Sequence, residues 1–150
     1  MPFISVTVTS YNYEKYIIRQ LSSIYNQSFR DFEIIVADDG STDNSVELIE
    51  EFIETHKDID IRLLKSSHAG LQANRNRVLD AATGKYIMFC DSDDYMDENC
   101  LEKLAEKAKE IDADRVVCYV RDVNEKGEVL QVEQQWGSIQ SKWMSNLNHG

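Results

Sequence analysis

No hydrophobic run in this chain approaches the roughly 20 residues that a membrane span requires. Cysteine is scarce. Cys90, Cys100 and Cys118 lack the paired spacing of a zinc site, and an odd number without a signal peptide points to a reducing cytoplasm, including the inner face of a membrane. Positive charge is also in deficit: 16 Lys and Arg stand against 27 Asp and Glu, a net charge of −11. That balance argues against nucleic acid, whose phosphates are neutralised by Lys and Arg. No repeat, linker or low-complexity segment breaks the chain. What is present, 42% apolar and 29% charged residues over 150 positions, suits one globular domain with a real core.

Strand and helix patterns alternate along the chain. Phe3 to Thr9, alternating apolar and small hydroxyl residues, reads as a first strand, and Ile17, Leu21 and Ile24 as a helical stripe. Phe32 to Ala37 is a second strand. A second helix follows, with caps among Ser41 to Asn44, a capping box from Asn44 to Glu47, and a core face of Val46, Ile49, Phe52 and Ile53. Ile59 to Leu64 is a third strand, and Gly70 to Ala82 a third helix stopped by Gly84. Tyr86 to Cys90 reads as a fourth strand buried on both faces. A fourth helix begins at Asp97 and Glu98 and carries Leu101, Leu104, Ala108 and Ile111. Val116 to Val120 is a fifth strand, and Glu125-Lys126-Gly127 turns into a last one over Val129 to Val132. Cys90 and Cys118, inside strands, are small core residues. Trp136 and Trp143 are isolated aromatics in a polar tail. Such alternation predicts an α/β fold: a three-layer, doubly wound, mainly parallel sheet of Rossmann-like type. Ligands of such sheets bind beyond the carboxyl ends of the strands.

The unusual polar residues fall on that rim. Thr9-Ser10-Tyr11-Asn12, Asp38-Asp39, Ser66-Ser67-His68 and Asp91-Ser92-Asp93-Asp94 follow strands one to four in turn. Three carboxylates in four positions repel one another unless a cation sits among them. Hard ions such as Mg²⁺ or Mn²⁺ take one or two such oxygens together with substrate phosphates, so a metal-bound phosphate ester is the first expectation. The competing account is a turn rich in Asp. Asp38 and Asp39 suit a nucleobase N–H, or else the positive end of the following helix; caps at Asp43 and Asn44 leave the earlier pair free. Gly40 permits a tight turn or a close backbone approach. Arg75 shares a helical stripe with Leu71, Val78 and Ala82, so its guanidinium needs an anion, either a diphosphate or a neighbouring acid. Tyr11 either stacks on a base or packs under its loop. Thr9 can bond a base edge, and His68 contacts phosphate or is simply exposed.

Val6-Thr7-Val8-Thr9-Ser10-Tyr11-Asn12, Val36-Ala37-Asp38-Asp39-Gly40-Ser41-Thr42-Asp43, Gly70-Leu71-Gln72-Ala73-Asn74-Arg75-Asn76 and Asp91-Ser92-Asp93-Asp94 together resemble the inverting family 2 glycosyltransferases of GT-A fold. Order and spacing agree over roughly the first two-thirds of the chain. The resemblance implies a nucleotide-sugar donor, often a UDP-sugar, and a divalent cation, Mn²⁺ or Mg²⁺. It carries Thr9, Tyr11 and Asp39 to the nucleoside, with Asp38 as a near alternative. It places Arg75 by the base or diphosphate, Asp91 and Ser92 by ribose or sugar, and Asp93, with Asp91, on the metal. The acceptor is a hydroxyl on a glycan, a lipid-linked sugar or a protein.

The same resemblance places the catalytic base in an acceptor-binding half beyond the Asp-x-Asp. After Asp122 the acids are Glu125, Glu128 and Glu133, none within a motif, so no base is assigned. Residues 1–123 are expected to form the nucleotide-sugar-binding core, and 124–150 a hairpin and the start of a truncated acceptor-side region. The chain is then either part of a longer transferase or a module that binds donor without turnover. Missing elements would leave apolar surface and favour self-association. A phosphatase with Asp91 as nucleophile is the third reading, disfavoured because that motif follows a first strand.

Overall fold

The order of buried and hydroxyl residues in β1 (Ile4–Ser10) makes it the central strand of a parallel sheet. In the computed structural model, residues 1–133 are described apart from 92, 119, 125 and 126, with the backbone alone at 131–133. Ser92, the turn residues Glu125 and Lys126, and the tail from 134 with Trp136 and Trp143 lie outside them. β1 pairs on one side with β2 (Phe32–Asp38), which pairs with β3 (Ile61–Lys65); on its other side it pairs with β4 (Tyr86–Asp91). All three pairings are parallel and the order is β3-β2-β1-β4. The fold is α/β with a parallel sheet, as the sequence predicts.

Right-handed crossovers fix which helix covers which face. α1 (Ile17–Tyr25) and α2 (Ser45–Thr55) carry the chain outward from β1 to β3; α3 (Leu71–Ala81) carries it back across to β4, and so covers the opposite face. There Val78 packs with Ile35 and Ala37 of β2, and Leu64, Ala81 and Ala82 close around them. Elsewhere in the core, Ile17, Leu21 and Ile24 of α1 and Ile49 of α2 are fully buried. Each such side chain contributes about 1.5–3 kcal/mol by leaving water.

The chain divides into two compact units, Met1–Leu101 and Glu102–Gly150. α4 (Cys100–Ile111) begins at the end of the first and carries a buried stripe of Leu101, Ala105 and Ala108. The second unit also holds a two-stranded antiparallel sheet of β5 (Val120–Val123) and β6 (Val129–Glu133). Among the described residues no helix is long and apolar enough to cross a membrane.

Several expectations are corrected. The fifth strand is not Val116 to Val120 and does not join the parallel sheet. It starts at Val120 because the turn after it sets the hairpin register, leaving Cys118 half-buried outside any strand. β4 is not buried on both faces. Among the described residues it is an edge strand, and Ile87 and Phe89 are 41% and 48% exposed. Asn44 forms no capping box; its amide nitrogen bonds Glu14 Oε2 at 2.9 Å instead. Gly84 does not cap α3, which ends at Ala81 with Ala82 as its C-cap. A Cβ on Gly84 would lie 2.6 Å from the Ser5 amide nitrogen, so the residue is there to let the chain pass against β1.

Candidate functional site

Register brings the strand ends level. Ser10 stands beside Asp38, and Thr9 stands between Ala37 and Asp91. The loops leaving those ends are then sewn together. Asn12 adopts a left-handed φ of 57°, its amide donates to Ser41 Oγ at 2.9 Å, and its side-chain oxygen accepts the Thr42 amide at 2.8 Å. The Tyr13 amide donates to Ser45 Oγ and the Glu14 amide to Asp43 Oδ2, at 2.9 and 3.1 Å. Gly40, at φ 77°, lets the loop after β2 approach the loop after β3: a Cβ there would lie 2.9 Å from the His68 amide nitrogen. Both roles foreseen for Gly40, turn and close approach, are therefore met.

The adjacent acids Asp38 and Asp39 do different work. Asp38 is buried and accepts the Gly40 and Ser41 amides at 3.0 and 2.9 Å and Ser41 Oγ at 2.5 Å. It builds its own turn and does not line the cavity described below, so the expectation that both acids stand free is corrected. Asp39 is equally buried but points the other way. Its oxygens accept the Ala69 and Gly70 amides at 2.8 and 2.9 Å, and Oδ2 lies 2.8 Å from His68 Nδ1. Burial pushes its carboxyl up, but those amides, His68 and Arg77 outweigh burial and hold it below its ordinary value.

Between these loops lies a cavity of about 350 Å³. Thr9, Tyr11, Asp39, Arg75, Asp91 and Asp93, six of the expected site residues, line it together. Arg75 is not in the core stripe of α3. That face belongs to Asn74 and Val78, while Arg75 turns to the cavity and meets Asp91 Oδ1 at 3.4 Å, the two side chains being 36% and 59% exposed. A long, half-open pair of this kind leaves both groups available to a ligand. Tyr13 also lines the cavity; burial, then the charges of Asp93 and Asp91 and the neighbouring Tyr16, raise its phenol above the ordinary range and keep it protonated.

The donor set of Asp91 and Asp93 is two carboxylates open to one cavity, hard oxygen ligands of the kind Mg²⁺ and Mn²⁺ take. Among the described residues no cluster of three or more His, Cys, Asp or Glu could hold a metal alone. The pair therefore fits a cation whose remaining ligands are phosphate oxygens and water.

Besides Tyr13, four residues around this site were not singled out from the sequence. Gln20, fully buried in the stripe of α1, gives its Nε2 to the carbonyl of Cys90 at 3.2 Å and to that of Asp91. Ser23 Oγ accepts the Met96 amide at 3.1 Å, and Gln27 bonds the Asp97 carbonyl and the Leu101 amide at 2.7 and 2.9 Å. Gln20 and Ser23 of α1, with Gln27 just beyond its end, thus anchor the acidic segment at both ends. Asn74 ties α3 to the Ala37 carbonyl at 3.0 Å. The signal available was a glutamine or asparagine on an otherwise core-facing stripe. Cys90 is the small core residue expected, its thiol pushed up to about 11 by burial.

A parallel sheet that gathers an aromatic, a buried acid, an arginine and the acids Asp91 and Asp93 at its carboxyl rim is the arrangement of a GT-A fold. The chain belongs to glycosyl transferase family 2, whose model matches residues 5–149. The glycosyltransferase GlyA of Streptococcus pneumoniae serotype 4 is 40% identical over 122 residues, 81% of this chain and 17% of its own. Staphylococcus aureus TarS 1–349, solved in complex with UDP-GlcNAc, superposes with a TM-score of 0.69 at 33% identity, over 74% of this chain and 32% of that one. The mannosyltransferase PcManGT from Pyrobaculum calidifontis, solved with GDP-Man and Mn²⁺, gives 0.59 at 33% identity over 61% and 28%. The chain spans less than half the length of the curated relatives it matches, between 17% and 41%.

Proposed function

We propose that this chain binds a nucleotide sugar, a UDP-sugar before others, and serves metal-dependent transfer of the sugar to an acceptor hydroxyl with inversion. One observation carries the reading: residues from three strand ends and from α3, chosen for nucleoside, diphosphate and metal, line a single cavity. Tyr11 and Thr9 take the base, and Asp39 accepts a base N–H. Arg75 holds the diphosphate, Asp91 the ribose or sugar, and Asp93 with Asp91 the cation, Mn²⁺ or Mg²⁺. A bound cation neutralises the charge that builds on the departing diphosphate. The acceptor oxygen attacks the anomeric carbon from the face opposite the leaving group; the carbon–oxygen bond to the diphosphate breaks, and a carboxylate takes the acceptor's proton. Residues 1–123 form the donor-binding core and 124–150 begin the acceptor side. Three cysteines, an odd number, suit a reducing cytoplasm.

A second reading is favoured by one feature. Among the described residues the acids lining the cavity are Asp39, Asp91 and Asp93, each already given to donor or metal, which leaves none of them for the base. On that reading the chain binds donor without turnover. Calorimetry with UDP, GDP and dTDP, each with and without Mn²⁺, tests the common part: UDP binds, and Mn²⁺ tightens it. Failure of every nucleotide to bind would sink both readings. Release or transfer of sugar from the UDP-sugar separates them.

A further inference from the structure

The position assigned to the base already holds a side chain of the protein. The His68 ring lies on the Tyr11 ring with centroids 4.5 Å apart and planes 32° apart. Its Nδ1 lies 2.8 Å from Asp39 Oδ2 and 3.3 Å from the Asp39 carbonyl oxygen. Both partners are acceptors, so Nδ1 carries a proton and donates it. A flat ring on Tyr11 with an N–H aimed at Asp39 is the pair of contacts that a nucleobase bearing an N–H would make. Asp39 also accepts the amides of Ala69 and Gly70, so an incoming base and His68 compete for the acceptor capacity that remains. The His68 side chain is 61% exposed, so it can leave this position for solvent.

We propose that His68 is an internal stand-in for the nucleobase, seated between Tyr11 and Asp39 in the empty protein and displaced when a nucleoside diphosphate binds. The inference rests on the assignment of Tyr11 and Asp39 to the base.

The test is calorimetry of UDP with Mn²⁺ on the native chain, His68→Ala and His68→Gln. His68→Ala is expected to bind UDP about three- to tenfold more tightly than native, because the competing occupant is gone. His68→Gln keeps an N–H for Asp39 but no ring for Tyr11, so its affinity should fall between the two. Weaker binding by His68→Ala would make His68 a direct ligand contact and overturn the proposal, as would equal affinities throughout. If none of the three proteins binds any of the nucleotides UDP, GDP and dTDP, the donor site itself is refuted and this inference falls with it.

Discussion

Two carboxylate–arginine pairs stand at opposite ends of the parallel sheet, and they differ in how completely they are closed. At the amino end, Glu33 of β2 is buried and accepts Ser5 Oγ at 2.6 Å, the Thr83 amide at 2.7 Å and Thr83 Oγ1 at 2.9 Å, with Arg62 on its second oxygen. That acid bolts β1, β2, β3 and the approach to β4 together. At the carboxyl end, Asp91 and Arg75 meet at 3.4 Å in an open cavity. A saturated acid holds a fold, and an acid left in a long, solvated contact is ready for something else. Charge alone does not tell the two apart; the surrounding donors do.

The comparison is broken most severely at its closed end. Glu33→Ala strands Ser5, Thr83 and Arg62 and should cost about 3 kcal/mol of unfolding free energy or more, read from urea denaturation; a loss within the range of surface substitutions would remove the bolt from the account. The same residue sets part of the acid sensitivity. Burial raises the Glu33 carboxyl, but Ser5, Thr83 and Arg62 together bring it below 4.5, so its stabilisation is complete above that pH and fades as pH falls through the lower, folded value. Melting temperatures of native and Glu33→Gln protein should therefore converge as pH falls below that value.

Next in size is Gly40→Ala, with about 1–3 kcal/mol of strain from its left-handed backbone and the His68 amide beside it. The displaced loop should weaken UDP binding as well, and native affinity in a destabilised Gly40→Ala would show that the loop contact does not shape the cavity. Asp93→Ala should leave the melting temperature unchanged yet remove Mn²⁺-dependent UDP binding, by tenfold or more, roughly 1.4 kcal/mol. Calorimetry that finds the metal effect intact would reassign the ion. The smallest stability effect belongs to Arg75→Ala, under about 1 kcal/mol because its pair is half-exposed. A large loss of stability there would erase the distinction between the two ends.

Much of this architecture is legible in the residues. Each strand of the parallel sheet begins within two residues of its expected position, because buried runs flanked by Gly and Asp leave little choice. Five of the six expected site residues on the cavity follow from their place at or just past a strand end; Arg75 meets an anion as expected, but off the core stripe where spacing puts it. What spacing does not reveal is direction. Asp38 and Asp39 are neighbours of one type, separated in role by which loop amides reach them, Gly40 and Ser41 for one and Ala69 and Gly70 for the other. His68, weighed as a bare loop residue, owes its importance to the left-handed Gly40, which brings the loop after β3 alongside. β4 looked buried because its composition is apolar, whereas its exposure is decided by neighbours that the composition of a strand does not contain.

Among the described residues β4 has a neighbour on one side only, and it is the strand that delivers Asp91 and Asp93 to the cavity. Heating should therefore loosen this hem before the interior ladder of β1 and β2 gives way. Amide protons along Tyr86–Asp91 should exchange with deuterated water sooner than those of β1, and nucleotide affinity should drain away several degrees below the global melt, with the rest of the molecule still folded.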